Sequence, residues 1–356
     1  MVHQLLAAHD EAAAILAGRG DHLRGELATW LADAGIKVHS VTARVKDPAS
    51  LARKLARPDR NYAELWDVTD LLGLRVITYF DDDVDRIGRV LEARLSIDLA
   101  RSIDKRRRRQ PDVFGYRSLH YVFALGGSLP VRARGEIQIR TLLEHTWAEI
   151  EHDLGYKAPG AVPAGVRQRL SRLAGLLEIA DREFVAIRDE LEAYADALPR
   201  RIANAEEVSL DQLALTALIE CAEVEALDRQ IAAASGHELG DEVFFPDYLL
   251  RMLQAVGLTT VAEVQDHVKV HADAIVAIAR PYFQYAWSAW RLTPTRDERV
   301  LRGYALFFLA HVHVLEGASL KLDKVERLTR LYRELDYPDD ARTAQRVASG
   351  LIEALA

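Results

Sequence analysis

Polar and apolar residues alternate through Glu136-Ile137-Gln138-Ile139-Arg140-Thr141. A period of two is that of a strand, so Glu136, Gln138 and Arg140 share one face while Ile137 and Ile139 take the other. A carboxylate, an amide and a guanidinium on one rigid strand cost free energy to bury unless they satisfy one another or a ligand. The plainer alternative is an exposed antiparallel strand. Arg134 to Arg140, Leu72 to Phe80 and Ser118 to Leu125 all have β-like patterning, whereas Ala49 to Ala56 and Val84 to Leu95 repeat at helical spacing. Before them, Leu5, Leu6, Ile15, Leu16, Leu23, Leu27, Trp30 and Leu31 mark one or two amphipathic helices within residues 1–35. Gly126-Gly127 predicts a turn.

From residue 165 onward the pattern is helical over Val166 to Leu198, Leu210 to Ser235, Tyr248 to Val256, Val261 to Tyr285, Arg299 to Leu315 and Lys324 to Tyr337. Pro199, Gly236 to Gly240, Gly257 and Thr293-Pro294 punctuate it. The expected architecture is therefore an α/β block with a mixed sheet flanked by helices over residues 1–160. A connecting amphipathic helix follows over 161–200, then an all-α extension over 201–356 with a regulatory or oligomerising role. Aromatic residues in that extension (Phe244-Phe245, Tyr282-Phe283, Tyr285, Trp287, Trp290, Phe307-Phe308) are expected in its core.

Composition changes this picture little. Hydrophobic residues at 49% and charged residues at 28% are globular values. A single cysteine, Cys221, excludes an internal disulfide framework and a multi-cysteine zinc site, and fits a reducing cytoplasm. No apolar run has membrane-spanning length and no signal-peptide pattern opens the chain, so no membrane partner is expected. A net charge of −8 argues against indiscriminate nucleic-acid binding, but leaves room for a local basic site.

Four clusters in the α/β block could carry chemistry. Arg44, Lys46, Ser50 and Lys54 form either a polyphosphate cradle or a solvated basic face. Asp70, in Asp70-Leu71-Leu72-Gly73-Leu74-Arg75, sits at a sheet rim as a Mg²⁺ ligand or a turn cap, with Gly73 allowing close approach. Lys105-Arg106-Arg107-Arg108-Arg109 is a cationic loop that leads into Tyr116, a ring able to stack on a base, or is a charge run with no partner. His145, Glu149 and His152-Asp153 lie along one face of a helix over Leu142 to Lys157. One helix supplies too few ligands, so a metal cluster there is not expected.

Order and spacing of these pieces resemble the RelA/SpoT-type synthetase domain of alarmone synthetases across residues 40–160. The pieces are Arg44-x-Lys46, Ser50 and Lys54, Asp70-x-x-Gly73-x-Arg75, Gly115-Tyr116-Arg117-Ser118-Leu119-His120, Glu136-Ile137-Gln138-Ile139-Arg140-Thr141, and Trp147-Ala148-Glu149-Ile150-Glu151-His152. The resemblance implies a nucleotidyltransferase-like sheet that moves the β,γ-pyrophosphate of ATP onto the 3′-OH of GDP or GTP. By that likeness Arg44, Lys46, Ser50, Lys54 and Arg75 hold ATP. Asp70 binds Mg²⁺, and Glu136 positions or deprotonates the attacking hydroxyl with a share in the metal site. Tyr116 stacks on the acceptor base, and Lys105, His120 and Gln138 line the acceptor pocket.

The chain departs from the family pattern in three places. Fewer than forty-five residues precede Arg44, and His9-Asp10 alone cannot build the hydrolase domain of the long family members, so product hydrolysis is not expected. Nine positions after Glu136, where small synthetases usually carry a short polar residue that reads guanine, stands His145. A neutral imidazole offers one donor and one acceptor, unlike a carboxamide. The stretches Asp104 to Tyr116 and Glu149 to Lys157 look like the subgroup with toxic and fused toxin–antitoxin synthetases. Two other acceptors follow: the 3′ end of tRNA, with Arg106, Arg107, Arg108 and Arg109 on its phosphates, or an adenine nucleotide. The competing class is an inactive nucleotide sensor that binds a partner through its C-terminal helices, against which both acidic residues stand. The match of Tyr282-Phe283-Gln284-Tyr285 to aromatic pairs that plug the ATP site in fused members leaves regulation by this half an expectation only.

Overall fold

Leu5, Leu16, Leu23, Leu27 and Leu31 recur along one face and are all buried, so the N-terminal segment is a single helix, α1 (Val2–Asp33). The protein is described here by a computed structural model covering residues 2–58, 62–106, 118–156, 163–204, 206–290, 295–296, 299–336 and 340–355. Tyr116 and Arg107 to Arg109 lie outside the described residues. The chain divides into two units, Met1–Glu190 and Leu191–Ala356.

In the first unit, β1 (Val38–Val45) is followed by α2 (Pro48–Leu55), β2 (Leu72–Thr78), α3 (Asp81–Arg94), β3 (Ile103–Asp104), β4 (Leu119–Ala124), β5 (Arg134–Thr141) and α4 (Leu142–Tyr156). The long α5 (Ala164–Ala203) runs through the division between the units. The five strands lie in the order β1-β2-β5-β4-β3. Only the β2–β5 pairing is parallel, so the sheet is mixed, as the alternation of strand and helix signals predicted. Ile137 and Ile139 are fully buried, each worth about 1.5–3 kcal/mol, and they fix the register. A one-residue slip of β5 would drive Glu136 and Gln138 into the core.

Local chemistry sets the junctions. Asp47 caps α2, accepting from the Ser50 amide at 2.8 Å, with Pro48 in the first turn. At the end of β5 the Thr141 hydroxyl accepts from the Glu144 amide (3.1 Å) while Glu144 accepts from the Thr141 amide (3.2 Å). This reciprocal cap starts α4 at once after the strand. Thr141 also donates to buried Asp181 of α5 at 2.8 Å, which braces the end of β5.

The second unit holds α6 (Gln212–Ile219), α7 (Ala222–Ser235), β6 (Glu238–Val243), α8 (Pro246–Ala255), α9 (Val261–Trp290), β7 (Thr295–Arg296), β8 (Arg299–Arg302), α10 (Tyr304–Leu315), α11 (Lys321–Glu334) and α12 (Ala341–Ala354). It is helical apart from a small ribbon ordered β6-β8-β7. Three boundaries differ from those expected. Pro199 does not end its helix, which runs to Ala203. The helix expected over Leu210 to Ser235 breaks at Glu220-Cys221. Arg299 to Leu315 is not one helix: Gly303, at φ 93°, separates β8 from α10. Buried Asp228 accepts from the amides of Gly303 and Ala305, both at 2.7 Å, and so caps α10 from a distant helix. Phe283, Phe307 and Phe308 are buried, and Tyr282 packs edge-on against Phe307 and Phe308, as expected of a core. Phe245 and Trp287 are instead exposed.

Candidate active site

Four adjacent strands, β1, β2, β5 and β4, place polar groups on one face of the sheet. Gly73 of β2 pairs with Arg44 of β1 on one side and Glu136 of β5 on the other. Arg75 pairs with Gln138, and Gln138 with His120 of β4. The polar groups of β5 satisfy one another in a chain: Arg140 donates to Gln138 Oε1 at 3.0 Å, and Gln138 donates to Glu136 Oε1 at 2.7 Å. His120 Nδ1 meets the same Glu136 oxygen at 3.0 Å. Burial raises the Glu136 carboxyl, but the hydrogen bonds from His120 and Gln138 outweigh it, and the group is held below the usual carboxylate range. Glu136 is therefore ionised at neutral pH. Asp70 pushes the other way, and both carboxylates border the same cleft.

Asp70 stands just before β2, clamped between two lysines. Lys46 Nζ donates to Oδ2 and Lys54 Nζ to Oδ1, each at 2.8 Å. Burial raises its carboxyl, and the two lysines overcome that and hold it below its ordinary value. A bond from the Lys46 amide to the Leu71 carbonyl (2.8 Å) fixes the end of β1 beside it.

Arg44, Lys46, Asp47, Ser50, Asp70, Gly73, Arg75, Glu136 and Gln138 all border one open cleft of about 280 Å³. Lys54 joins it through Asp70. Small-molecule clefts run about 300–1,000 Å³, so this one lies at the small end of that range. A larger cleft, about 440 Å³, lies in the second unit and includes none of the predicted residues.

The remaining sequence-predicted residues fall into two groups. Lys105 follows β3, where burial lowers its ammonium pKa, Glu136 raises it and Arg140 lowers it, so it shares the field of β5. His145 of α4 is held below the usual imidazole value by burial, then by Arg140 and Arg75. Arg106 turns back into the fold, where Asp104 (3.0 Å) and Asp85 engage its guanidinium. Tyr116, Arg107, Arg108 and Arg109 fall outside the described residues. Among the described residues, no group of three possible metal ligands gathers on α4.

Sequence reasoning gave no role to Glu149, which receives Arg75 Nη1 at 3.0 Å and lies 3.6 Å from His145 Nδ1. The four-residue spacing of His145 and Glu149 marks their shared face, but the cross-link from β2 to α4 depends on tertiary packing.

The mixed sheet, its flanking helices and a cation-lined cleft bearing two carboxylates define a nucleotidyltransferase-like α/β domain. Residues 43–161 match a family model described as the region found in RelA/SpoT proteins. GTP pyrophosphokinase YjbM of Bacillus subtilis (strain 168) is 33% identical over 175 residues, which is 48% of this chain and 81% of the relative. GTP pyrophosphokinase YwaC of the same organism is 28% identical over 161 residues, 44% of this chain and 76% of the relative. A crystal structure of small alarmone synthetase 1 from Bacillus subtilis bound to its product pppGpp shares 30% identity, covering 53% of this chain and 96% of that one, with a TM-score of 0.44. The chain belongs to the RelA/SpoT family. No helix among the described residues is long and apolar enough to cross a membrane.

Proposed function

We propose that this protein transfers the β,γ-pyrophosphate of ATP to the 3′-OH of GDP or GTP, with Glu136 as the group that receives the proton of the attacking hydroxyl. The observation that carries this reading is the ionised Glu136 facing the Lys46–Asp70–Lys54 knot across one cleft. Transfer of this kind gains mainly from in-line positioning and from cations facing phosphate oxygens. In this reading Arg44, Lys46, Ser50, Lys54 and Arg75 hold the triphosphate. A phosphate arriving in the cleft competes with Asp70 for the two lysines and with Glu149 for Arg75, so the ion pairs of the free protein keep these cations placed but exchangeable.

Asp70 and Glu136 fit a magnesium ion, because both are ionised oxygen donors bordering the space above Gly73. Bound there, Mg²⁺ supplies neutralising charge to phosphate oxygens and lowers the pKa of a nearby hydroxyl. His120 and Gln138 orient the Glu136 carboxylate through Oε1. Lys105, His120, Gln138 and His145 border the acceptor, with Tyr116 as its stacking ring.

The alternative acceptors are the tRNA 3′ end and an adenine nucleotide. Arg106, occupied by Asp104 and Asp85, removes one of the four cations that the tRNA reading uses, which favours a free nucleotide. The helices beyond residue 200 take a regulatory or oligomerising part in the same reading. Exposure of Leu173, Leu176 and Ile179 on α5 supports self-association of the chain. The test is to incubate the protein with γ-labelled ATP and, separately, GDP, GTP, AMP or bulk tRNA. Label is expected in GDP and GTP. Label confined to tRNA or AMP would overturn the choice of acceptor, and label in none of them would overturn the activity.

A further inference from the structure

The second unit contains a cluster of imidazoles far in sequence from the residues of the cleft. His267 and His271 stand four apart on α9, with rings 5.6 Å between centroids and nearly parallel at 11°. His313, in the last turn of α10, lies with its ring 4.5 Å from that of His267. Glu316 follows directly after α10, and its Oε2 is 3.5 Å from His271 Nε2 and 3.8 Å from His313 Nδ1. One ligand atom from each of His267, His271 and Glu316 lies within 4.8 Å of the other two.

Two of these nitrogens are orphaned. His271 Nε2 and His313 Nδ1 are buried without a hydrogen-bond partner, and buried polar atoms in that state require an explanation. A direct bond from His271 to Glu316 is not the explanation, because 3.5 Å is too long for one. We propose that His267, His271, His313 and Glu316 bind one divalent transition-metal ion, with zinc the best fit. Four ligands about 2.0–2.1 Å from a tetrahedral centre stand roughly 3.3–3.4 Å apart. The two distances to Glu316 approach that edge.

The donor set selects the metal. Imidazoles with one carboxylate and no thiolate suit zinc and its neighbours, whereas magnesium and calcium take all-oxygen sets. Four protein ligands leave no open position, which makes the ion a structural clamp between α9 and the end of α10. This site is independent of the pyrophosphate-transfer reading.

The experiment uses the full chain, stripped with a chelator and titrated with zinc chloride against a chromophoric chelator. One zinc ion per chain is expected, with Kd on the order of 10⁻⁷ M or tighter, a raised melting temperature, and no competition from millimolar magnesium. Outer-shell changes alone cost about 10–100-fold, so His267→Asn/His271→Asn is expected to weaken binding by more than about 100-fold. Asp70→Asn should bind zinc as the wild type does. Glu316→Gln, at a half-exposed position, reads the same loss if the histidine variant fails to fold. Absence of stoichiometric zinc binding, or binding retained by Glu316→Gln and the histidine variant alike, would overturn the site.

Discussion

Gly73 lies directly opposite Glu136 in the parallel ladder of β2 and β5, and a Cβ added at Gly73 would meet nothing nearer than the Arg44 carbonyl at 3.9 Å. That space is the cleft itself. Gly73→Ala should therefore fold normally, with stability within about 0.5–1 kcal/mol of wild type, yet weaken ATP binding by about tenfold. Gly135, which precedes Glu136 on β5 and pairs with Leu72, provides the contrast. A Cβ there falls 2.7 Å from Leu125 Cδ2 and 2.9 Å from Phe123 Cε1, both in the buried core. Gly135→Ala should cost about 1–3 kcal/mol in urea unfolding. Equal stability loss in the two variants would show that Gly73 does not border free space.

Glu136→Gln keeps the size of the side chain but removes its charge. Turnover should fall by about 10²–10⁴-fold, with the affinity for a non-hydrolysable ATP analogue changed less than about threefold. Calorimetric titration beside a rate measurement separates the two effects. Lost affinity with intact turnover would assign Glu136 to ATP binding instead.

Asp70 predicts a pH signature. Its carboxyl is held below the ordinary value, so the stability it contributes is fully present above the usual carboxylate range and is lost as pH falls through its own lowered pKa. Asp70→Asn should cost about 1–2 kcal/mol at pH 7, discounted for partial exposure of the lysines, and the gap to wild type should close below about pH 4. Asp228 runs the other way. Burial raises it to about 6, so the native state binds its proton first and this group's contribution falls as pH climbs from about 4 to 6. Urea unfolding of wild type and Asp70→Asn from pH 3 to 7 checks the sign, and a gap that widened in acid would contradict it.

The strand carrying Glu136 was legible because a half-buried strand writes its two faces directly into alternating residue types. Asp70 and the two lysines were each marked by sequence, but not their mutual pairing, since Lys46, Lys54 and Asp70 are joined only by tertiary folding. Gly303 escaped notice for a related reason. Arg299-Val300-Leu301-Arg302 reads as a helical continuation, and the Asp228 cap that forces the break lies on another helix. Pro199 was over-read, because losing one backbone donor need not end a long helix.

In the proposed reaction a pyrophosphoryl group, rather than a single phosphoryl group, leaves ATP at the cleft between Asp70 and Glu136. The direct measurement runs parallel reactions with β-labelled and γ-labelled ATP, GDP and Mg²⁺, and follows both labels with time. Both labels should appear in the guanine nucleotide at the same rate, with unlabelled AMP formed in equal amount and neither label moving in Glu136→Gln. Transfer of the γ label alone, with the β label left in ADP, would contradict it.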